Sequence, residues 1–507
     1  MVVTFGLLTI FFAGVVYVLQ RSGVNDQSFS DYAVGGRSFG AGYQAMSFLN
    51  TWYPGAMFTA FAGLASSAGV ISFYVLAYSL LTVVLMYVMA RTVWIWGKRF
   101  ELHTQPDLLA LRYDSRHIRT IAAVVGIVSG VPWLVLGMQA LGQLFRYMSL
   151  GTLSFPNAVV LGVMVIALRQ IWTVRMGMRG VVISDMVQGL VAYVFGGFVL
   201  CGLIAWLWFD RGSTLSALEP RMFALPGIGS KEGPLYLFSL LLTGTVGGWC
   251  WPYIFVRLFT AESVEALKKS AAIAMPLSLF FGIALLLFGM LASALPSVAG
   301  KPEDVWFIAS QEAGGLVLLG LAGVILLAAS MGHTDGNIQA TGAQIANDLV
   351  GNYIRLDDRH LIVVSKVGMV ALTALSAWLA CLTLPALFTL AVLAYQGIIQ
   401  LAVPQFLGIF WKRGNKVGAM AGLVCGFLLV LVLELFFQEL LSQAYGVTSG
   451  VMALVLNLAI YVACAYAFPQ TTKERARVER LFGMASEAAP QLVPEPRSSP
   501  AYMREAS

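Results

Sequence analysis

Two short runs in this sequence combine residue types that an uninterrupted apolar helix avoids. Asn50-Thr51-Trp52-Tyr53-Pro54-Gly55 breaks an apolar stretch over 39–65, and Gly247-Gly248-Trp249-Cys250-Trp251-Pro252 breaks one near 237–259. Proline withdraws a backbone donor and glycine loosens the helix. In lipid, the freed amides and carbonyls must find partners inside the protein or around a polar cavity. The chemistry this offers is coordination: half-helix ends, hydroxyls and amides that hold a small solute or a cation near the membrane midplane. Ser47, Asn50, Thr51, Trp52 and Tyr53 come from the first break, and Trp249 and Trp251 from the second. Trp133, beside Pro132 where a further apolar run reads as interrupted, and Gln139 extend the same set of aromatic walls with a few polar groups. Cys250 could line the same pathway or be a small core residue.

Asp185, His333 and Asp335 are ionisable residues within apolar segments. A charged side chain there costs on the order of 3 kcal/mol on insertion scales, which usually marks function. A histidine, ordinarily titrating near about 6.5, can also carry protons. Plainer roles stand beside these. Asp185 could cap the sixth span or pair with Arg179, and His333 could be a core histidine bonded to a carbonyl. Glu434, near the outer end of the twelfth span, reads as an interface charge. No embedded arginine stands out as a carboxylate clamp, because Arg91 and Arg257 read as lying near cytoplasmic ends. Helix-terminal amides at the breaks would serve a carboxylate instead, and a neutral or zwitterionic solute fits as well.

The elements that position these residues follow from composition. The 507 residues are 59% apolar and 11% charged, against about a quarter charged in a soluble domain. Apolar segments fall near 3–20, 39–65, 70–96, 117–147, 156–173, 180–208, 233–259, 270–295, 314–348, 361–382, 385–410, 416–438 and 448–468. That predicts an all-α integral membrane protein of about thirteen transmembrane helices. No basic residue precedes the run Val2–Leu19 and no small-residue cleavage site follows it, so it reads as a span, not a secretory signal. The net charge of +6 sits at the ends of apolar runs and carries no nucleic-acid signal. The five cysteines lie in apolar stretches without metal-site spacing or a disulfide framework. No zinc pattern, Ser/His pair or phosphate loop suggests an enzyme, and no pore loop or charge ring suggests a channel. No cofactor is expected.

With the N-terminus outside, about 24 of the 31 basic residues fall in inner loops, including Arg21, Lys98, Arg116, Arg175, Lys268, Arg359 and Lys412. About five fall outside: Arg146, Arg211, Arg221, Lys231 and Lys301. A multi-pass protein of the inner membrane follows, N-terminus out and C-terminus cytoplasmic. The tail over 469–507 reads as disordered, with one short amphipathic helix near 472–481. The broken helices are the second and seventh spans. Five is odd, so a second unit starting at span 7 enters the membrane from the opposite side to the first. This divides the chain into an extra helix over 1–20, a five-helix unit over 39–208, an inverted five-helix unit over 233–410, and two helices over 416–468.

Four local patterns are similar to those of the sodium:solute symporter family. They are Asp31-Tyr32-Ala33-Val34-Gly35-Gly36-Arg37-Ser38; the run Gly177-Met178-Arg179-Gly180-Val181-Val182-Ile183-Ser184-Asp185-Met186-Val187-Gln188; Pro252-Tyr253-Ile254-Phe255-Val256-Arg257 with Ala261 and Ser263; and Phe410-Trp411-Lys412-Arg413 with Gly418, Ala419 and Gly422. They occur in family order across almost the whole chain. Within the family, Asn50–Gly55 and the stretch 31–140 look most like the monocarboxylate-permease branch.

The resemblance implies a fold like that of the bacterial leucine transporter, with one extra N-terminal and two extra C-terminal helices. It also implies cation-driven uptake of a small solute, a monocarboxylate or an amino acid, by alternating access. Sodium would lie between the second span, at Gly42 and Ala45, and the ninth, at Ala329, Ser330, Gly332, His333 and Asp335, with Asp185 at an acidic position used for a second cation in some members. The chain departs from the pattern where two hydroxyls are usual: Gly332 and His333 stand there. Sodium prefers oxygen ligands to imidazole. Two mechanisms therefore stay open: Asp185 and Asp335 rebuild an oxygen cage, or Asp185, His333 and Asp335 carry protons. A membrane solute sensor without net transport is the reading from another class. The expected partners are the solute, sodium and the bilayer.

Overall fold

Long uncharged apolar runs can satisfy their own backbone in lipid only as helices or closed barrels. In the computed structural model, which describes residues 1–22, 28–230, 232–382, 387–437 and 445–486, these runs are helical. The one β-bridge among the described residues joins Phe39 to Ala261 in parallel. The helices are α1 Val2–Arg21, α2 Phe29–Val34, α3 Ala41–Trp52, α4 Ala60–Ala68, α5 Tyr74–Arg99, α6 Gln105–Tyr113 and α7 Arg116–Met148. They continue with α8 Phe155–Gly189, α9 Gly196–Phe209, α10 Tyr236–Gly247, α11 Pro252–Phe255, α12 Arg257–Thr260, α13 Val264–Ala292 and α14 Val305–Gln344. The last are α15 Asp358–Ala380, α16 Leu387–Ile398, α17 Ala402–Phe410, α18 Lys416–Phe436, α19 Ser449–Ala467 and α20 Thr472–Ser486.

Side chains set several of the boundaries. Ser28, Ser115, Ser263, Asp357 and Asn415 each accept a backbone N–H in the first turn of α2, α7, α13, α15 and α18. Thr104 and Asp107 cap α6 reciprocally. Gly177 has φ +61° inside α8, so that helix is two rods meeting at a bend. Gly314 and Gly315 bend α14 in the same way.

By length and composition, nine runs among the described residues are fit to cross a membrane. The figure is below thirteen because the expected spans on either side of the Gly177 bend fuse into one run, Phe155–Phe209, as do the segments from Gly55 to Arg99, while Tyr236–Cys250 is too short to count and α16 with α17 is not among the counted runs. α14 packs against α1, α3, α7, α8 and α15, and so forms the middle of the bundle. Its residues from Leu319 to Gln344 are almost all buried. α18 and α19 pair at the edge.

Three expectations change. α7 runs unbroken through Pro132, because a missing N–H within a buried helix can be absorbed by its packing. The amphipathic tail helix is longer than 472–481 and docks on α5. There Trp96 Nε1 donates to the Leu481 carbonyl at 2.8 Å and Arg91 Nε to that of Ala485 at 2.7 Å. Arg257, read as lying near a cytoplasmic end, is buried in the bundle together with Arg169, because each meets a carboxylate there. Lys231 and the tail beyond Ser486, including its expected disorder, lie outside the described residues.

Candidate solute and cation site

The two breaks fall where the sequence places them. α3 stops at Trp52, Tyr53 and Pro54 are extended, a tight turn spans Gly55–Met57, and α4 resumes the helix. α10 passes through one tight turn at Gly248–Cys250 to an extended Trp251, and Pro252 opens α11. The breaks face each other. Phe48 is stacked between Trp52 and Trp249, with ring centroids 5.9 and 5.8 Å away. Both indoles are anchored on α5: Trp52 Nε1 donates to Ser79 Oγ at 2.9 Å and Trp249 Nε1 to the Thr82 carbonyl at 2.8 Å. Carbonyls at the first break find side-chain partners. Tyr193 donates its hydroxyl to the Tyr53 carbonyl at 2.6 Å, and His333 Nδ1 lies 2.7 Å from the Thr51 carbonyl.

A cavity of about 330 Å³, including its mouth, lies between the breaks. Thr51, Trp52, Tyr53, Trp133 and Trp251 line it. Ser47 and Asn50 do not: they turn to Asp185. Gln139 is buried away from the cavity wall, and Trp249 is fully buried behind Phe48. Cys250 is also buried, its thiol 3.6 Å from the Val246 carbonyl. The wall gains Tyr78, Tyr253, Tyr395 and His333. Tyr253, next to Pro252 in the second break, was within reach of the sequence argument. Tyr395 and Tyr78 carry no sequence signal, since only folding brings α16 and α5 to the cavity.

Beside the cavity lies a polar cluster around Asp185. Its carboxylate accepts from Ser47 Oγ at 2.6 Å and Asn50 Nδ2 at 3.0 Å, and Arg257 Nη2 is 3.5 Å away. Arg257 also donates to Thr51 Oγ1 at 2.7 Å, so the second broken helix holds the end of the first. The partner of Asp185 is therefore Arg257 and not Arg179. Asp335 has a separate partner, with Arg169 Nη2 at 3.1 Å and both side chains fully buried. Pairing is what makes such burial tolerable, since an isolated charge in this setting costs several kcal/mol.

The two glycines of α14 explain how this cluster fits. A Cβ at Gly332 would lie 1.7 Å from Asn50 Nδ2, and one at Gly336 would lie 2.6 Å from Arg257 Nη2. Asn50 and the guanidinium thus fill the space that side chains on α14 would take. Ala329, Ser330 and His333 are buried on the same helix, and Ser330 Oγ abuts Gly55 in the first break. Gly42 and Ala45 sit on the unbroken part of α3. For a hard cation, the oxygens gathered here are those of Asp185, Ser47, Asn50 and Thr51. The α14 positions where hydroxyls are usual offer none, because Gly332 has no side chain and His333 spends Nδ1 on Thr51.

The profile described as Sodium:solute symporter family matches residues 32–426. The chain is 24% identical to "Uncharacterized symporter YodF" of Bacillus subtilis (strain 168), over 94% of this chain and 95% of that protein. It is 25% identical to "High-affinity proline transporter PutP" of the same organism, over 80% and 86% respectively. Its fold is similar to a solved Na+-coupled sialic acid symporter, with a TM-score of 0.71, 17% identity, and 92% and 98% of the two chains covered.

Proposed function

We propose that this chain, which belongs to the sodium:solute symporter family, carries a small organic solute, a monocarboxylate or an amino acid, into the cell with sodium. It is a multi-pass membrane transporter and not an enzyme. The observation that carries the reading is the cavity where the two broken helices meet, walled by Thr51, Trp52, Tyr53, Trp133 and Trp251. An aromatic chamber against unwound backbone holds a solute but performs no bond chemistry. The same reading makes the chain a thirteen-span protein with two inverted five-helix units, N-terminus outside and C-terminus cytoplasmic, that rock about the chamber.

For the coupling ion, the Asp185 carboxylate with Ser47, Asn50 and Thr51 is the oxygen-rich place beside the chamber. Sodium and the Arg257 guanidinium compete for that carboxylate. Cation entry then loosens the bond between the second broken helix and Thr51, which links ion binding to movement of one unit against the other. Asp335, held by Arg169, keeps α14 charged but neutralised through the cycle.

The test is uptake into proteoliposomes under imposed gradients, screening lactate, pyruvate, acetate, alanine, proline, pantothenate and sugars. An inward sodium gradient is expected to drive accumulation of one of them. Accumulation under a proton gradient alone, indifferent to sodium, overturns sodium coupling and favours the proton route through His333. Asp185→Asn and Asp335→Asn are expected to reduce coupled uptake at least 10-fold, and Glu434→Gln less than 2-fold. Three equal activities would remove both acids from the mechanism.

A further inference from the structure

Two buried polar atoms of opposite character, on side chains that line the chamber, have no partner among the described residues. His333, only 2% exposed, lies with Nδ1 2.7 Å from the Thr51 carbonyl. A carbonyl can only accept, so Nδ1 carries the hydrogen and, in the neutral ring, Nε2 keeps a lone pair. That Nε2 has no hydrogen-bond partner among the described residues. The neighbouring Trp133, whose ring centroid is 5.9 Å from that of His333, can only donate, and its Nε1 is likewise without a partner. Buried groups of this kind are rarely left unmatched. Here both residues line one cavity, so what enters can supply both matches: a donor for His333 and an acceptor for Trp133.

The walls narrow the choice further. Trp133, Trp251 and Tyr395 stand nearly perpendicular to one another, at 86°, 86° and 83°, with centroids 5.4–6.2 Å apart. Tyr253 stacks on Trp251 at 5.7 Å and meets His333 edge-on at 5.2 Å. Among the described residues, no Asp, Glu, Lys or Arg side chain lines the cavity. An aromatic enclosure of this sort favours an organic cation through the negative faces of its rings, and offers a lone carboxylate no counter-charge.

We propose that His333 and Trp133 form a specificity pair that selects solutes carrying an N–H-bearing ammonium beside a carboxylate, amino acids above all. His333 Nε2 accepts from the ammonium, and Trp133 Nε1 donates to the carboxylate. Nitrogen-free monocarboxylates are poor cargo. This rests on the reading of the chamber as the solute site.

The test is binding to the purified full-length protein in nanodiscs, followed by isothermal titration. The twenty L-amino acids are titrated together with nitrogen-free partners of the same carbon frame, such as lactate for alanine and cyclopentanecarboxylate for proline, and with choline. At least one amino acid is expected to bind 10-fold or more tightly than its partner. His333→Phe keeps a ring and loses the acceptor, so it should remove most of that preference. His333→Gln, whose amide can serve both Thr51 and the ammonium, should retain part of it and controls for folding. Trp133→Phe should weaken amino-acid binding about 10-fold.

Several results overturn the assignment: a nitrogen-free acid or choline binding as tightly as any amino acid, silence from all twenty, or unchanged preference in His333→Phe. Transport is judged separately. An amino acid that binds with this pattern but never accumulates under any gradient sinks the symport reading and leaves the pair standing. A monocarboxylate that accumulates does the reverse.

Discussion

At residue scale, the site works because α14 omits side chains where α3 and α12 insert theirs. Gly332 yields its place to Asn50, and Gly336 yields to Arg257. A serine at 332 would copy the family's usual hydroxyl, yet its Cβ has no room beside Asn50 Nδ2. Gly332→Ser is therefore expected to lower stability by about 1–3 kcal/mol, the usual cost of overfilling a packed core, and to cut uptake. Adding Asn50→Ala should restore most of the melting temperature in detergent, since it empties the contested space. Uptake should stay low, because Asp185 loses the Asn50 amide. A single variant that melts with the parent would show that α14 shifts freely, and the fit argued here would fail.

At element scale, the helices are tied at one end by a second charge cluster. Arg119 on α7 reaches both Asp107 on α6 and Asp348, which lies in the π-helical turn Ile345–Val350 after α14, the latter at 2.7 Å. Asn347 Nδ2 donates to Asp107 Oδ2 at 2.7 Å, and Thr104 Oγ1 to Asp348 at 3.0 Å. Burial works against the Asp107 carboxylate, but Arg119 and His103 outweigh it and hold its pKa below the ordinary value. Its contribution is therefore complete above about pH 4 and fades only as acid protonates it. Removing one member of such a buried set costs about 3–5 kcal/mol. Arg119→Ala should lower the melting temperature by several degrees, and Asp107→Asn with Asp348→Asn in the same chain should recover much of it. No change in the single variant would mean that the cluster does not tie α14 to α6 and α7.

At the scale of the whole molecule, the distribution of basic residues makes a claim about sidedness. Arg211 follows α9 and Arg475 lies on α20, docked against the end of α5 that carries Lys98 and Arg99. In a chain with its five cysteines replaced, Arg211→Cys should react with a membrane-impermeant maleimide on intact cells. Arg475→Cys should react only after the membrane is opened. The opposite pattern would invert the assigned topology, and labelling of both from outside would break the span count.

The amino-acid order alone determined the helical class, the two interrupted helices and the wall residues Trp52, Tyr53, Trp133 and Trp251. Proline, glycine and apolar length act locally, and in lipid the backbone has few other solutions. Asp185 and His333 stood out because a polar group in an apolar run has to be compensated somewhere. What compensates them was decided by tertiary structure. Arg257 is 72 residues from Asp185 in sequence and Arg169 is 166 from Asp335, and an arginine near a predicted helix end reads as a solvated anchor until packing carries it inward. The same holds for Tyr395 and Tyr78, ordinary apolar-segment tyrosines that become walls of a chamber. The local sequence sets where a helix must break, but a buried charge or an orphaned ring nitrogen is satisfied through space, by whichever partner the fold brings within about 3 Å.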